Sequence, residues 1–285
     1  MAFIELNRVT KAFHSAAGST RHVLEDVTLA VEAGEFVSII GSTGCGKSTL
    51  LKIAAGLMPP DTGEVRVGGE SLVGVWKDAA IVFQNYSLLP WFSALENVRL
   101  AVQSTFPSWS RDRQRTHARR YLELVGLGGA LHRRPSQLSG GMRQRVAIAR
   151  AFASEPAVLF LDEPLGALDA LTRETLQHEL AQLRSAAGRP VTTLMITNNV
   201  DEALLLSDRI VPMTRGPRAT LAVSIAVKLP RPRTAAQLLH DEQAARLRGH
   251  VVECLTEHIR NAERQSPRIS ERHGLMTAAP VESQT

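Results

Sequence analysis

The chain has 285 residues, 44% hydrophobic and 21% charged, with a formal net charge of +5 and a pI near 9.7. These values describe a globular protein with a substantial core, one large or two ordinary domains. No apolar run approaches the roughly 18 residues of a membrane span, and two cysteines, Cys45 and Cys254, suggest no disulfide framework. The start, Met1 to Asn7, lacks the basic and apolar regions of a signal peptide, so a cytosolic location is expected. Basic residues cluster at Arg111 to Arg120, Arg133-Arg134 and Arg231 to Arg233 with few aromatics among them. That pattern suits a solvated face or a membrane surface better than nucleic acid.

Residues 3 to 9 and Val27 to Val31 predict strands, separated by a small polar loop at Ser15 to Thr20. Phe36 to Ile40 reads as a buried strand, and Ser48 to Ala55 as a helix ending near Gly56 with Pro59-Pro60 beyond. Gly63 to Gly69 reads as a hairpin strand, and Asp78 to Phe83 as a strand ending at Gln84. From Asn85 to Pro135 the pattern turns helical, over Leu95 to Val102 and Arg111 to Val125, and another helix covers 142 to 153. Ala157 to Leu161 is an unbroken apolar run, as expected of a strand covered on both faces. Leu168 to Ala186 predicts a helix, Val191 to Thr197 a core strand, Val200 to Leu206 a short helix, and residues 209 to 228 further strands. Strands alternating with helices imply a mainly parallel sheet covered on both sides, with the helical block as a second subdomain. Thr234 to Arg264 predicts a helical appendage, with room for a break at Gly249 and with Leu247, Val251, Leu255 and Ile259 on one side. Disorder is expected from Gln265 onward.

Three motifs carry chemistry. Gly41-Ser42-Thr43-Gly44-Cys45-Gly46-Lys47-Ser48-Thr49 fits G-x-x-x-x-G-K-[ST] between a strand and a helix. Its glycines let backbone N–H groups turn toward phosphate oxygens, and the helix N-terminus adds positive potential. Lys47 would reach the β and γ phosphates, and Ser48 would offer its hydroxyl to Mg²⁺. Leu159-Phe-Leu-Asp162-Glu163-Pro164 places two carboxylates at a strand end, where open α/β sheets bind ligands. Asp162 suits the Mg²⁺ shell, and Glu163 suits the polarising of an attacking water. Leu138-Ser139-Gly140-Gly141-Met142 combines a hydroxyl with helix-start N–H groups, a second anion-binding element distant in sequence from the first. Two phosphate-binding elements on different subdomains make sense if two copies face each other.

On these motifs the chain resembles the nucleotide-binding subunits of ABC transporters over roughly residues 3 to 230. The resemblance implies the α/β ABC-cassette fold of P-loop NTPases: a mainly parallel sheet core, an antiparallel β subdomain and an inserted helical subdomain. It divides the chain into an ATPase domain, 1–232, with its helical part at about 85–155, and a C-terminal extension, 233–285. It implies that Phe13 stacks on adenine and that Gln84 senses the γ-phosphate through Mg²⁺ and the attacking water. Residues 138 to 142 become the signature that contacts the ATP of the opposite subunit. Asp162 and Glu163 become the magnesium and catalytic acids, and Gly166 to Asp169 the loop through which two sites communicate. The segment after Gln84, with Trp91 and Phe92, becomes the groove floor for a short helix of a membrane subunit.

One position departs from the family pattern. Where a histidine is usual, this chain has Asn198, which can hydrogen-bond a γ-phosphate oxygen but cannot become cationic. Slower hydrolysis at this site, a merely regulatory nucleotide-binding role, or pairing with a second, different ATPase would each be consistent with that. Expected cofactors are ATP and Mg²⁺. Expected partners are a second ATPase subunit, two permease subunits and, indirectly, a periplasmic or lipid-anchored solute-binding protein, at the cytoplasmic face of the membrane. The wording Leu89-Pro90-Trp91, the run Val200 to Arg209 and Gly216 to Ala219 look most similar to importers for nitrate, nitrite, cyanate, sulfonates or taurine, with nitrate preferred.

Overall fold

In the computed structural model, residues 2–15, 18–166, 172–177, 179–180 and 191–265 are described, with side chains as far as Thr256. The chain opens with two long strands, β1 (Ala2–His14) and β2 (Thr20–Glu32), paired antiparallel. Both run well beyond the 3–9 and 27–31 expected from alternation. The pairing absorbs several register shifts, and Arg8 and Asp26 take up left-handed backbone conformations, φ 51° and 50°, that interrupt the period-two signal. With β4 (Thr62–Val67) and β5 (Glu70–Ser71) they form a four-stranded sheet in the order β2-β1-β4-β5.

The second sheet has six strands in the order β10-β9-β3-β8-β7-β6. Its members are β3 (Phe36–Ile40), β6 (Ala79–Val82), β7 (Val158–Asp162), β8 (Thr192–Thr197), β9 (Arg209–Pro212) and β10 (Ile225–Ala226). All pairings are parallel except that of β10 with β9. Every residue of β3, β7 and β8 is buried, which accounts for their unbroken apolar or β-branched runs. Two hydrophobic clusters form the core, one centred on Leu50, Ile39 and Phe160, the other on Leu122, Ile148 and Leu161.

Helix α1 (Lys47–Ala54) follows β3 directly. Between β6 and β7 lies a block of three helices: α2 (Ala94–Thr105), α3 (Arg111–Leu124) and α4 (Gly140–Ala153), each started by a serine whose hydroxyl accepts an N–H of the first turn. Helical residues 172–177 and 179–180 (α5) are the described part of the helix expected from Leu168 to Ala186. The loop Gly166 to Asp169 lies, apart from Gly166, outside the described residues, as does the tail beyond Gln265. After β8 comes α6 (Val200–Leu206). The C-terminal extension is α7 (Ala235–His240) and α8 (Glu242–Gln265).

The break allowed at Gly249 does not occur. Helix α8 runs through that exposed glycine, where an added Cβ would meet nothing within 4 Å. A glycine inside a helix costs only about 1 kcal/mol, and burial of Ala244 and Val251 on either side outweighs it. The chain turns instead at Asp241, whose Oδ1 accepts the N–H of Ala244 at 2.7 Å and so starts α8.

Candidate nucleotide site

Parallel register brings four strand ends to one edge of the six-stranded sheet. Ile40 stands opposite Thr197, Asp162 opposite Ile196, and Val82 opposite Leu161. The loop after β3, Asn198 after β8, the acids at the end of β7 and Gln84 after β6 therefore form a row, the position where such sheets bind ligands.

Gly46 precedes α1 with φ 113°, a backbone that L side chains rarely adopt. A Cβ there would also lie 2.9 Å from Val23 Cγ1, so the loop is pressed onto β2. Among the described residues no side chain caps α1, leaving its first-turn N–H groups for an anion. Lys47 is 4% exposed; its Nζ donates to the carbonyls of Gly41 (2.9 Å) and Ser42 (3.1 Å) and lies 3.5 Å from Glu163 Oε1. The Ser48 hydroxyl donates to Asp162 Oδ1 at 3.0 Å. Gln84 Nε2 donates to Glu163 Oε2 at 3.4 Å. These contacts join Lys47, Glu163 and Gln84, and separately Ser48 and Asp162.

Burial pushes the Asp162 carboxyl up, with the Ser48 hydrogen bond opposing it and the neighbouring Glu163 charge adding to it. Burial also raises the Cys45 thiol, which lies inside the loop. Glu163 has φ 45°, outside the ordinary regions for a residue with a side chain. Its N–H donates to Ile196 O at 3.0 Å and its carbonyl accepts from Gly166, which holds that conformation.

Asn198 is exposed, and Asn199 beside it caps α6 by accepting from the N–H groups of Asp201 (2.9 Å) and Glu202 (3.2 Å). Glu202, 2% exposed and pushed up by burial, accepts the Thr197 hydroxyl at 2.8 Å and faces Arg173 at 3.5 Å. The backbone on both sides of Asn198 is thus fastened while its amide faces solvent.

Phe13 is 41% exposed near the end of β1, too open for a core residue, on the hairpin whose other strand carries Val23 and Leu24 against Gly46. Ser139 is exposed at the start of α4, its Oγ accepting from Met142 N at 3.2 Å. Gly140 and Gly141 follow, with Gly141 tight against Thr172 of α5, and Met142 packs on the core. No hydrogen bond or ion pair among the described residues joins this segment to the strand-end row; its neighbour there is Tyr86, two residues after Gln84, whose hydroxyl would lie 3.5 Å from a Cβ on Gly140. Trp91 is 63% exposed, edge-on to Phe92 at 6.3 Å, on a segment tied down by buried Asn97 through Leu89, Phe92 and Ser93. A separate groove of about 670 Å³ lies between Ala79–Ile81 of β6, Phe106 at the other end of α2 and Arg150 of α4.

Sequence reasoning passed over Arg150. It donates to the carbonyls of Ser87 (2.7 Å) and Tyr86 (3.0 Å), two residues with positive φ just after Gln84, and so ties α4 to the Gln84 loop. The signal was a lone arginine in the apolar stretch Val146 to Ala153.

Parallel strands ending in a glycine loop with a buried lysine, a serine–aspartate pair and an adjacent glutamate define an ATPase of the P-loop class. The sequence profile described as ABC transporter matches residues 24–166. The chain is 48% identical over 253 residues to the nitrate import ATP-binding protein NrtD of Synechococcus elongatus, covering 89% of this chain and 91% of that one. It is 44% identical over 254 residues to the bicarbonate transport ATP-binding protein CmpD of Synechocystis sp., covering 89% of each. It superposes with a TM-score of 0.69 at 31% identity on a dimeric post-hydrolysis state of the ATP-binding cassette MJ0796 bound to ADP and Pi, over 80% of this chain and 100% of that one. The chain belongs to the ABC transporter family. It is an ATP-binding subunit that hydrolyses ATP.

Proposed function

We propose that this chain energises uptake of a small oxyanion, nitrate or nitrite first and bicarbonate next, at the cytoplasmic face of a membrane. The ATP phosphates lie along the N–H groups of residues 44 to 49, with Lys47 leaving the carbonyls of Gly41 and Ser42 for the β and γ phosphates. Phe13 stacks on the adenine. Glu163, held by its backbone conformation, orients the attacking water, with Gln84 and Asn198 on either side of the γ-phosphate. Ser48, Asp162 and Gln84 offer the hard oxygen donors that suit Mg²⁺, and Ser48 and Asp162 already stand 3.0 Å apart. Bound there, Mg²⁺ would neutralise phosphate charge.

The site is half of a pair. Residues on the strand ends converge on one place, whereas Ser139 opens a separate, exposed helix start. That observation carries the reading that Ser139 to Met142 serve the ATP of a second ATPase subunit, the same chain or a different one. Two permease subunits dock through the segment that carries Trp91 and Phe92, and a solute-binding protein delivers the anion to them. The identity of 48% with a nitrate import subunit over 89% of the chain supports the anion class; sulfonates and taurine rank behind. Reconstitution with the permease subunits and a binding protein, followed by uptake of labelled nitrate, bicarbonate and taurine, tests this. ATP turnover that no oxyanion-loaded binding protein stimulates would refute it.

A further inference from the structure

The C-terminal extension has no part in the nucleotide site as built so far. Its contacts nevertheless converge on α6, the short helix that begins two residues after Asn198. At the far end of α6, Arg233 donates to the carbonyls of Leu204 (2.8 Å) and Ser207 (2.6 Å), and Arg231 donates to Leu206 O at 2.9 Å. These are the last-turn carbonyls that a helix leaves unpaired, and cations are favoured there. The Ser207 hydroxyl is hydrogen-bonded to that of Ser38 on β3, which fixes the same end to the sheet. At the near end, Arg248 of α8 donates to Asp201 Oδ1 at 2.7 Å. Between the two, Ala203 to Leu206 lie in one buried cluster with Leu238 of α7 and Ala244 and Val251 of α8.

We infer that the extension is a brace for the γ-phosphate corner, in which Arg248 and Arg233 grip the two ends of α6 and through it position Asn198. The lever is short. Asp201 sits in the first turn, its N–H bonded to Asn199, and Glu202 beside it is bonded to Thr197, so the residues flanking Asn198 move with the start of α6. Arg248 is a positioning residue and touches no nucleotide. Its ion pair with Asp201 is part-exposed and contributes little to stability by itself. Its value lies in fixing where that first turn stands, because misplacement of a group at the reacting centre costs rate. Apolar packing of α7 and α8 supplies the holding strength, and the arginines set the orientation.

The inference rests on the reading that Asn198 meets the γ-phosphate, and the experiment separates the two. In the full chain within its assembled transporter, Arg248→Asp lowers kcat for ATP about three- to tenfold, with KM and the melting temperature nearly unchanged. The exchange Arg248→Asp with Asp201→Arg restores turnover. Arg246→Asp, on the exposed side of the same helix, changes nothing. Asn198→Ala lowers kcat, and adding Arg248→Asp to it produces no further loss, since both act at one corner. A lower melting temperature with unchanged kcat in Arg248→Asp, failure of the exchange to rescue, or additive losses in the double variant would overturn the brace alone. Wild-type turnover in Asn198→Ala would overturn the γ-phosphate reading, and the brace with it.

Discussion

Lys47 and Glu163, a cation and an anion from different strand ends, stand 3.5 Å apart, and both are largely withdrawn from water. The lysine ammonium also donates to two carbonyls of its own loop, so its charge has partners within the chain. On the function proposed above, an ATP phosphate that takes Lys47 displaces these partners, and Glu163 loses its cation.

Glu163→Gln keeps the shape of the side chain and removes its charge. Steady-state ATP hydrolysis falls by about a hundredfold or more, while affinity for a fluorescent ATP analogue is retained. A variant that binds nucleotide and still turns over at the parent rate would remove Glu163 from the reaction.

Asn198→His introduces a titratable ring where the amide now faces solvent. Turnover rises by up to about tenfold, and the gain is largest where the ring is cationic, below roughly pH 6.5. Initial rates across pH in the assembled transporter check this; no gain at any pH would show that the asparagine already suffices.

Glu179 of α5 lies 3.3 Å from Arg145 of α4, and among the described residues its Oε2 and the Arg145 Nε have no hydrogen-bond partner. Burial, opposed by Arg145, pushes its carboxyl from 4.5 up to about 7. The folded state thus holds the proton more tightly than the unfolded one. This contribution is present in full below the unfolded value and is lost as pH rises through about 7. At most roughly 3 kcal/mol is at stake. Denaturant titrations between pH 5 and 8 should show stability declining with pH, and Glu179→Gln should flatten that slope whatever its own offset.

Gly141 is held open by shape. A Cβ at that position would lie 2.5 Å from Thr172 Cγ2. Gly141→Ala is expected to destabilise the junction of α4 with α5 by about 1–2 kcal/mol net of its helix preference. Thr172→Ser in the same chain removes the offending methyl and returns most of the loss, as thermal unfolding of the single and double variants will show.

The buried parallel strands were legible because burial on both faces leaves continuous apolar runs, and the loop at Gly41 to Thr49 because its chemistry requires fixed spacing. The serines that open α2, α3 and α4 mark those helix starts. The length of the first hairpin was not legible, since Arg8, Thr10 and Asp26 occupy its irregular registers and break the alternation. Gly249 misled because a local preference of about 1 kcal/mol is smaller than the burial on either side of it. Pairings between distant residues, such as Arg150 with Tyr86 and Ser87 or Arg248 with Asp201, leave no periodic trace. They follow from which elements the fold sets side by side.

The two adjacent asparagines are placed unlike: Asn199 turns its side chain onto the start of α6, while Asn198, just after β8, is exposed. Deleting either codon yields the same protein, with one asparagine forced to choose between roles. A substitution at the first position therefore leaves the cap of α6 in place, whereas one at the second keeps it only if the new side chain can cap as well. Replacement of Asn198 keeps the start of α6 intact, and insertion or loss beside it shifts the cap.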